Sequence, residues 1–182
     1  LVTTGGNPIG YGIYEGNIHE GKTLVPMIKD LAGRHGFDHP VVIADAGLLS
    51  KKNIEDLEAE KYEYILGARV KSETAEVKEA ILGMNLENGD VRCIDKANGV
   101  RLIVSMSDKR AAKDEAMRKK GLQRLEKRFQ TGKLTKANVN NRGYNKYLKM
   151  DGDVSVTIDM DKFNADAAWD GIKGYVTNTK LS

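Results

Sequence analysis

The chain has 182 residues, 40% hydrophobic and 30% charged, with 29 Lys/Arg against 26 Asp/Glu. That length supports one domain with a substantial core, or a core plus an insertion, and the composition excludes a disordered tail. No apolar run approaches the roughly 18–20 residues that cross a bilayer, so neither a membrane span nor a secretory leader is expected.

Taken from the amino end, residues 1–17 are expected to form a β-hairpin. Gly5-Gly6-Asn7-Pro8 supplies turn chemistry, and Ile9, Tyr11 and Ile13 alternate with Gly10, Gly12 and Tyr14 along the second arm. Leu24, Met27, Ile28 and Leu31 then recur at the spacing of one buried helical face, predicting a helix over about 21–34. Pro26 is tolerated because it falls in the first turns. The run Val41-Val42-Ile43-Ala44 is apolar on both faces and is expected at the centre of a sheet. Ser50 is expected to cap a helix to about residue 61, with Ile54 and Leu57 inward, and residues 62–70 form the next strand. The order β-β-α-β-α-β suits a mixed sheet with helices packed on it.

Past Val70 a short helix is expected over 73–82, ended by Gly83. Residues 91–95 and 100–106 read as a hairpin turned by Asn98-Gly99. Ser107 or Asp108 caps a long basic helix to about Gln130, whose buried stripe is Met117, Leu122, Leu125 and Phe129. Gly121 weakens its middle by about 1 kcal/mol relative to Ala. Strands at 154–160 and 169–177 follow. The single cysteine, Cys93, sits on an alternating strand and is expected to be a buried, inert thiol, in keeping with a reducing cytoplasm. No internal repeat or low-complexity tract is present.

Most chemical motifs are missing: there is no glycine-rich phosphate loop, no nucleophile elbow and no Cys/His zinc spacing. His35, Asp38 and His39 fall across Gly36 and before Pro40, a loop that does not match helical ligand spacing, and His19 is isolated. Asp151, Asp153, Asp159 and Asp161 read as a turn and a solvent-facing strand end, with the wrong spacing for a calcium loop.

Charge is segregated. Residues 109–149 hold 14 Lys/Arg against Asp114, Glu115 and Glu126, a balance of +11, which leaves −8 for the remainder. An acidic body with a basic lobe is a common layout for proteins that grip phosphate backbones beside an acidic metal centre. In isolation, such a helix is more often simply a solvated face.

Asp45 carries the most information. It closes the apolar run 41–44 and precedes Ala46-Gly47 and the helix start at Ser50. Strand ends of this kind are where open α/β sheets bind ligands, and a carboxylate there serves a metal, a base or a basic partner, or else caps the helix that follows.

Taken in order, several short segments resemble the DDE transposases of bacterial insertion sequences, in the group whose RNase H-like core carries a β-strand insertion. They are Leu1-Val2-Thr3, Pro8-Ile9, Glu15-Gly16-Asn17, Glu20, Thr23-Leu24, Val42-Ile43-Ala44-Asp45-Ala46-Gly47, Ser50-Lys51-Lys52-Asn53, and Trp169-Asp170-Gly171 leading to Thr177-Asn178-Thr179. The resemblance implies an α/β fold, an RNase H-like mixed β-sheet with flanking helices. It also implies a partial catalytic core over 1–70 and, over 71–182, a β-rich insertion whose basic helical arm spans about 108–131. It makes Asp45 the second of three metal-holding carboxylates, with two Mg²⁺ or Mn²⁺ ions as cofactors and DNA strand cleavage and transfer as the activity. Double-stranded DNA, at transposon ends and target, and a second copy in a homodimer are the implied partners. Lys113, Arg118, Lys119, Lys120, Arg124, Lys127 and Arg128, spread around the helix, become candidate phosphate contacts, and Lys51 and Lys52 could approach the cleaved strand. The chain lacks an initiator Met, opens directly on a strand-like segment and closes on a cap-like Ser182. It is therefore expected to be a fragment without the first Asp and the final Glu, inactive alone. A non-catalytic DNA-binding or regulatory module derived from a transposable element, or an unrelated α/β enzyme using Asp45 for another ligand, remain the alternatives.

Overall fold

The computed structural model describes residues 2–3, 5–16, 18, 20–37, 40–152 and 155–180. The expectations for Leu1, His19, Asp38, His39, Asp153 and Ser182 lie outside them. The chain divides into two compact units, one of residues 1–73, 92–104 and 173–182, the other of 74–91 and 105–172.

In the first unit, helix α1 spans Leu24–His35 and buries Leu24, Ile28 and Leu31, with Met27 half-buried. Strand β1 (Val41–Ala44), helix α2 (Lys51–Ala59) and strand β2 (Glu63–Ala68) follow. The Ser50 side chain accepts a hydrogen bond from the Asn53 N–H at 3.1 Å, satisfying one of the free amides at the start of α2. Leu57, Tyr64 and Leu66 are fully buried. β1 and β2 run parallel, with Val42 opposite Tyr64 and Ala44 opposite Leu66. Strands β3 (Val91–Asp95), β4 (Arg101–Met106) and β7 (Ile172–Thr177) complete a five-stranded sheet in the order β1-β2-β7-β4-β3. β7 is antiparallel to β2, and its end is zipped by side chains. The Thr177 hydroxyl donates to the Tyr64 carbonyl at 2.6 Å, and Asn178 accepts from the Tyr64 N–H and donates to the Tyr62 carbonyl. These bonds continue the ladder past the last paired residue.

In the second unit, helix α3 spans Ala75–Gly83 and helix α4 spans Asp108–Gln130, capped by Ser107. A two-stranded ladder of β5 (Leu148–Asp151) and β6 (Ser155–Ile158) precedes the short helix α5 (Met160–Ala165). Their core is Leu125, Tyr147, Leu148, Val156 and Phe163, with the Tyr147 and Phe163 rings edge to face. Gly121 is buried because the Tyr144 ring occupies the space a Cβ would fill. The loss of helix propensity there is the condition for that packing.

The mixed α/β sheet with flanking helices agrees with the fold class expected from the sequence, but four local expectations need correction. Among the described residues the amino-terminal hairpin is reduced to a single bridge, Val2 with Pro8, and Tyr11 and Ile13 are exposed. Two arms without a third strand are marginal in water, and Gly10 and Gly12 weaken the second arm further. Among the described strands β1 lies at a sheet edge, not the centre, and Ile43 is 74% exposed. Cys93 is exposed, since β3 forms the opposite edge and presents both faces to solvent over most of its length. Met117 and Phe129 are exposed, so the buried seam of α4 is narrower than its sequence spacing suggested.

Gly67 couples the sheet to the loop after β1. A Cβ at this residue would lie 2.7 Å from the Ala46 amide nitrogen and 3.2 Å from the Asp45 carbonyl carbon. Both are backbone atoms, which cannot swing aside as a side chain does. Gly67→Ala is therefore expected to destabilise the fold by about 1–3 kcal/mol. Urea unfolding followed by far-UV circular dichroism measures this; an unchanged midpoint would mean the loop is not clamped.

Candidate functional site

Asp45 emerges at the carboxyl end of β1, on the same rim as the end of the parallel β2. Its Oδ1 accepts the Gly47 N–H at 2.7 Å, and its carbonyl accepts the Leu48 N–H at 3.3 Å, closing a tight turn. The Leu48 carbonyl in turn accepts from the Ser50 N–H and from the buried Asn53 side chain at 2.8 Å, which ties the loop to the first turn of α2. Ser50, not Asp45, is the helix cap. The carboxylate is exposed, and among the described residues it takes part in no ion pair and makes no hydrogen bond through Oδ2. A residue so placed offers one hard, anionic oxygen on a fixed backbone, the donor type that suits Mg²⁺ or Mn²⁺. It stands alone, however: no group of three or more His, Cys, Asp or Glu that could hold a metal occurs among the described residues.

Two acids of the second unit are occupied locally. Asp159 caps α5 by accepting the Lys162 N–H at 3.0 Å. Asp166 accepts from the Tyr147 hydroxyl and the Lys146 ammonium, both at 2.5 Å. Burial, with Asp166 beside it, raises the Tyr147 phenol above its ordinary range, so the hydroxyl stays a donor. Lys51 and Lys52 are exposed beyond Asp45, but each reaches an acid one turn on, Glu55 at 3.6 Å and Asp56 at 3.2 Å.

The seven cations proposed on α4 separate into distinct groups. Lys113, Lys120, Arg124 and Lys127 are exposed, and none forms an ion pair among the described residues. Lys119 is exposed but paired with Glu115 at 2.5 Å, and half-buried Arg128 reaches Asn145 at 3.4 Å. Arg118 points inward. Its guanidinium meets Asp170 at 2.6 Å and lies 4.9 Å from the centre of the Phe163 ring, with only 10% of its side chain exposed. The bond to Asp170 raises its pKa further, so it is a fixed internal cation, not a surface contact. Sequence reasoning also missed Gly67, whose only signal was a glycine inside an otherwise apolar strand.

The first unit thus holds a strand-end carboxylate on a mixed α/β sheet, and the second holds a cationic helix. A family model described as a transposase DDE domain matches residues 1–170, and the chain belongs to that family. Membership makes it a transposase-type enzyme that acts on DNA, which does not favour the non-catalytic alternative. No curated protein and no solved structure matches the chain. No described helix is long and apolar enough to cross a membrane.

Two stability outcomes follow. Asp45→Asn keeps an Oδ1 acceptor for the Gly47 amide and is expected to unfold like the parent, whereas Asp45→Ala loses about 0.5–1 kcal/mol. Arg118→Ala strands Asp170 in a mostly buried position and is expected to cost about 3 kcal/mol, while Lys119→Ala leaves stability unchanged. Denaturation monitored by the single tryptophan, Trp169, which lies in the same unit, separates the two.

Proposed function

We propose that Asp45 is a divalent-metal ligand in a transposase that cleaves DNA strands and joins them to a target at insertion-sequence ends. What supports this is the open carboxylate at the end of β1 in a chain that belongs to the transposase DDE domain family. Asp45 fits the metal as a donor but does not amount to a site by itself, so it would act as one member of a larger carboxylate set. Bound by such a set, Mg²⁺ or Mn²⁺ would supply Lewis-acid activation of the attacking oxygen and stabilisation of the leaving oxygen at a phosphodiester.

The protein's own contribution is positional. The Gly47 amide holds Oδ1, so Oδ2 is presented in one direction, with little rearrangement needed on binding. The clamp at Gly67 fixes the height of the loop above β2. Asp45 serves as an anionic ligand throughout, not as a proton donor. The partial catalytic core in this reading centres on residues 1–70, and the compact unit containing them also takes in 92–104 and 173–182. The second unit, residues 74–91 and 105–172, carries the insertion-like part with its basic helix. Duplex DNA at the element ends and target is the partner, and a homodimer brings two ends together. The cytoplasm is the compartment where such a protein meets its DNA.

Strand nicking tests the assignment. In the intact protein with Mn²⁺, Asp45→Asn is expected to lower the cleavage rate on plasmids bearing the element ends by about a thousandfold, the equivalent of roughly 4 kcal/mol of transition-state stabilisation. Binding of the same ends should be nearly unchanged. Undiminished nicking by Asp45→Asn would sink the proposal, because the substitution removes the anionic ligand without disturbing the turn.

A further inference from the structure

We infer that one face of α4 is a linear track for the phosphate backbone of duplex DNA, indifferent to base sequence. At about 100° per residue, Lys109, Lys113, Lys120, Arg124 and Lys127 fall within about 60° of arc and extend over about 27 Å of helix. All five are exposed and take part in no ion pair among the described residues. The remaining cations of the helix lie outside this arc and are engaged: Arg110 with Asp114, Lys119 with Glu115, Arg118 with Asp170, and Arg128 with Asn145. No acid of α4 lies within about 80° of the arc. The seam that packs into the second unit's core, Gly121, Leu122 and Leu125, is centred about 135° away.

This allocation has an energetic meaning. Lys109 with Lys113, and Lys120 with Arg124, are like charges at i, i+4, a spacing that destabilises a helix when nothing neutralises it. Two of the helix's acids, Asp114 and Glu115, pair with Arg110 and Lys119 outside the stripe and not with its cations. A polyanion laid along the face would remove the repulsion and release its own counterions. A membrane surface is a poorer match: an interfacial helix needs a continuous apolar face for the lipid, and here Leu122 and Leu125 pack into the unit's own core. Four lysines and one arginine, with no amide side chain on the arc, make phosphate contacts and do not read base edges. The inference rests on the function proposed above only in choosing duplex DNA among polyanions.

The test is the salt dependence of binding, measured by fluorescence anisotropy in EDTA with a labelled random-sequence duplex of about two helical turns. The Lys113→Gln/Lys120→Gln/Arg124→Gln/Lys127→Gln variant should lose about 3–4 units from the log–log slope, near 0.9 for each phosphate contact removed. Arg110→Gln/Lys119→Gln, which removes as much charge per residue from engaged positions, should leave the slope unchanged. Duplexes of different sequence should bind the wild type equally. An unchanged slope in the stripe variant, an equal loss per charge in the control, or tighter binding to phosphatidylserine vesicles than to duplex would overturn the track. Asp45→Asn keeps the two proposals apart. Should it still nick DNA while the stripe variant loses its slope, the metal assignment fails and the track stands. If it is inactive while the stripe variant binds as before, only the track fails.

Discussion

The close approach of two backbones at the end of the β1–β2 pair is the constraint on which the site depends. Parallel pairing brings both carboxyl ends to one rim, and the missing side chain at Gly67 lets the Asp45-Ala46 peptide settle against β2. From there the loop is determined in short steps. Gly47 binds the carboxylate, Leu48 supplies a carbonyl to Asn53, and Ser50 opens the next helix. A single flexible carboxylate on a loose loop would present a ligand oxygen in many directions. Here one oxygen is held by the Gly47 amide and the other makes no hydrogen bond among the described residues, a division that depends on the backbone and not on neighbouring charge.

The second unit divides its charges in a comparable way. Arg118 and Asp170 satisfy each other beside Phe163, and Lys146 with Tyr147 satisfies Asp166, so these ions help define the packing around the hydrophobic cluster. Such pairs are weak evidence for stability, since their desolvation offsets much of the attraction, but losing one partner is costly. Cations not needed for packing gather on the outer side of α4. The same residue types, a few positions apart, therefore do different work according to helical phase.

Phase is also what decided how much could be foreseen. The four longer helices were legible because their apolar spacing, caps and glycine stops act locally, as Ser50 and Ser107 did, whereas the short α5 was not. Asp45 was legible because an acid ending an apolar strand is unusual. The Asn98-Gly99 turn placed β3 and β4 side by side for the same local reason. Edges were not legible. The run Val41–Ala44 has the composition of a central strand, and nothing nearby in sequence reveals which strands flank it. The inward turn of Arg118 was hidden for a related reason: its partner Asp170 lies 52 residues away.

Side-chain hydrogen bonds from Thr177 and Asn178 to β2 join residues more than a hundred positions apart, and they have a consequence for biogenesis. β2 cannot gain its antiparallel neighbour until nearly all of the chain between them has left the ribosome. Closing so long a loop is entropically slow, although the length itself adds only logarithmically to its cost. The helices and the β3–β4 hairpin, held by nearby residues, can assemble first. Until β7 has been made, β2, against which the Asp45 loop packs, has β1 as its only paired neighbour among the described strands.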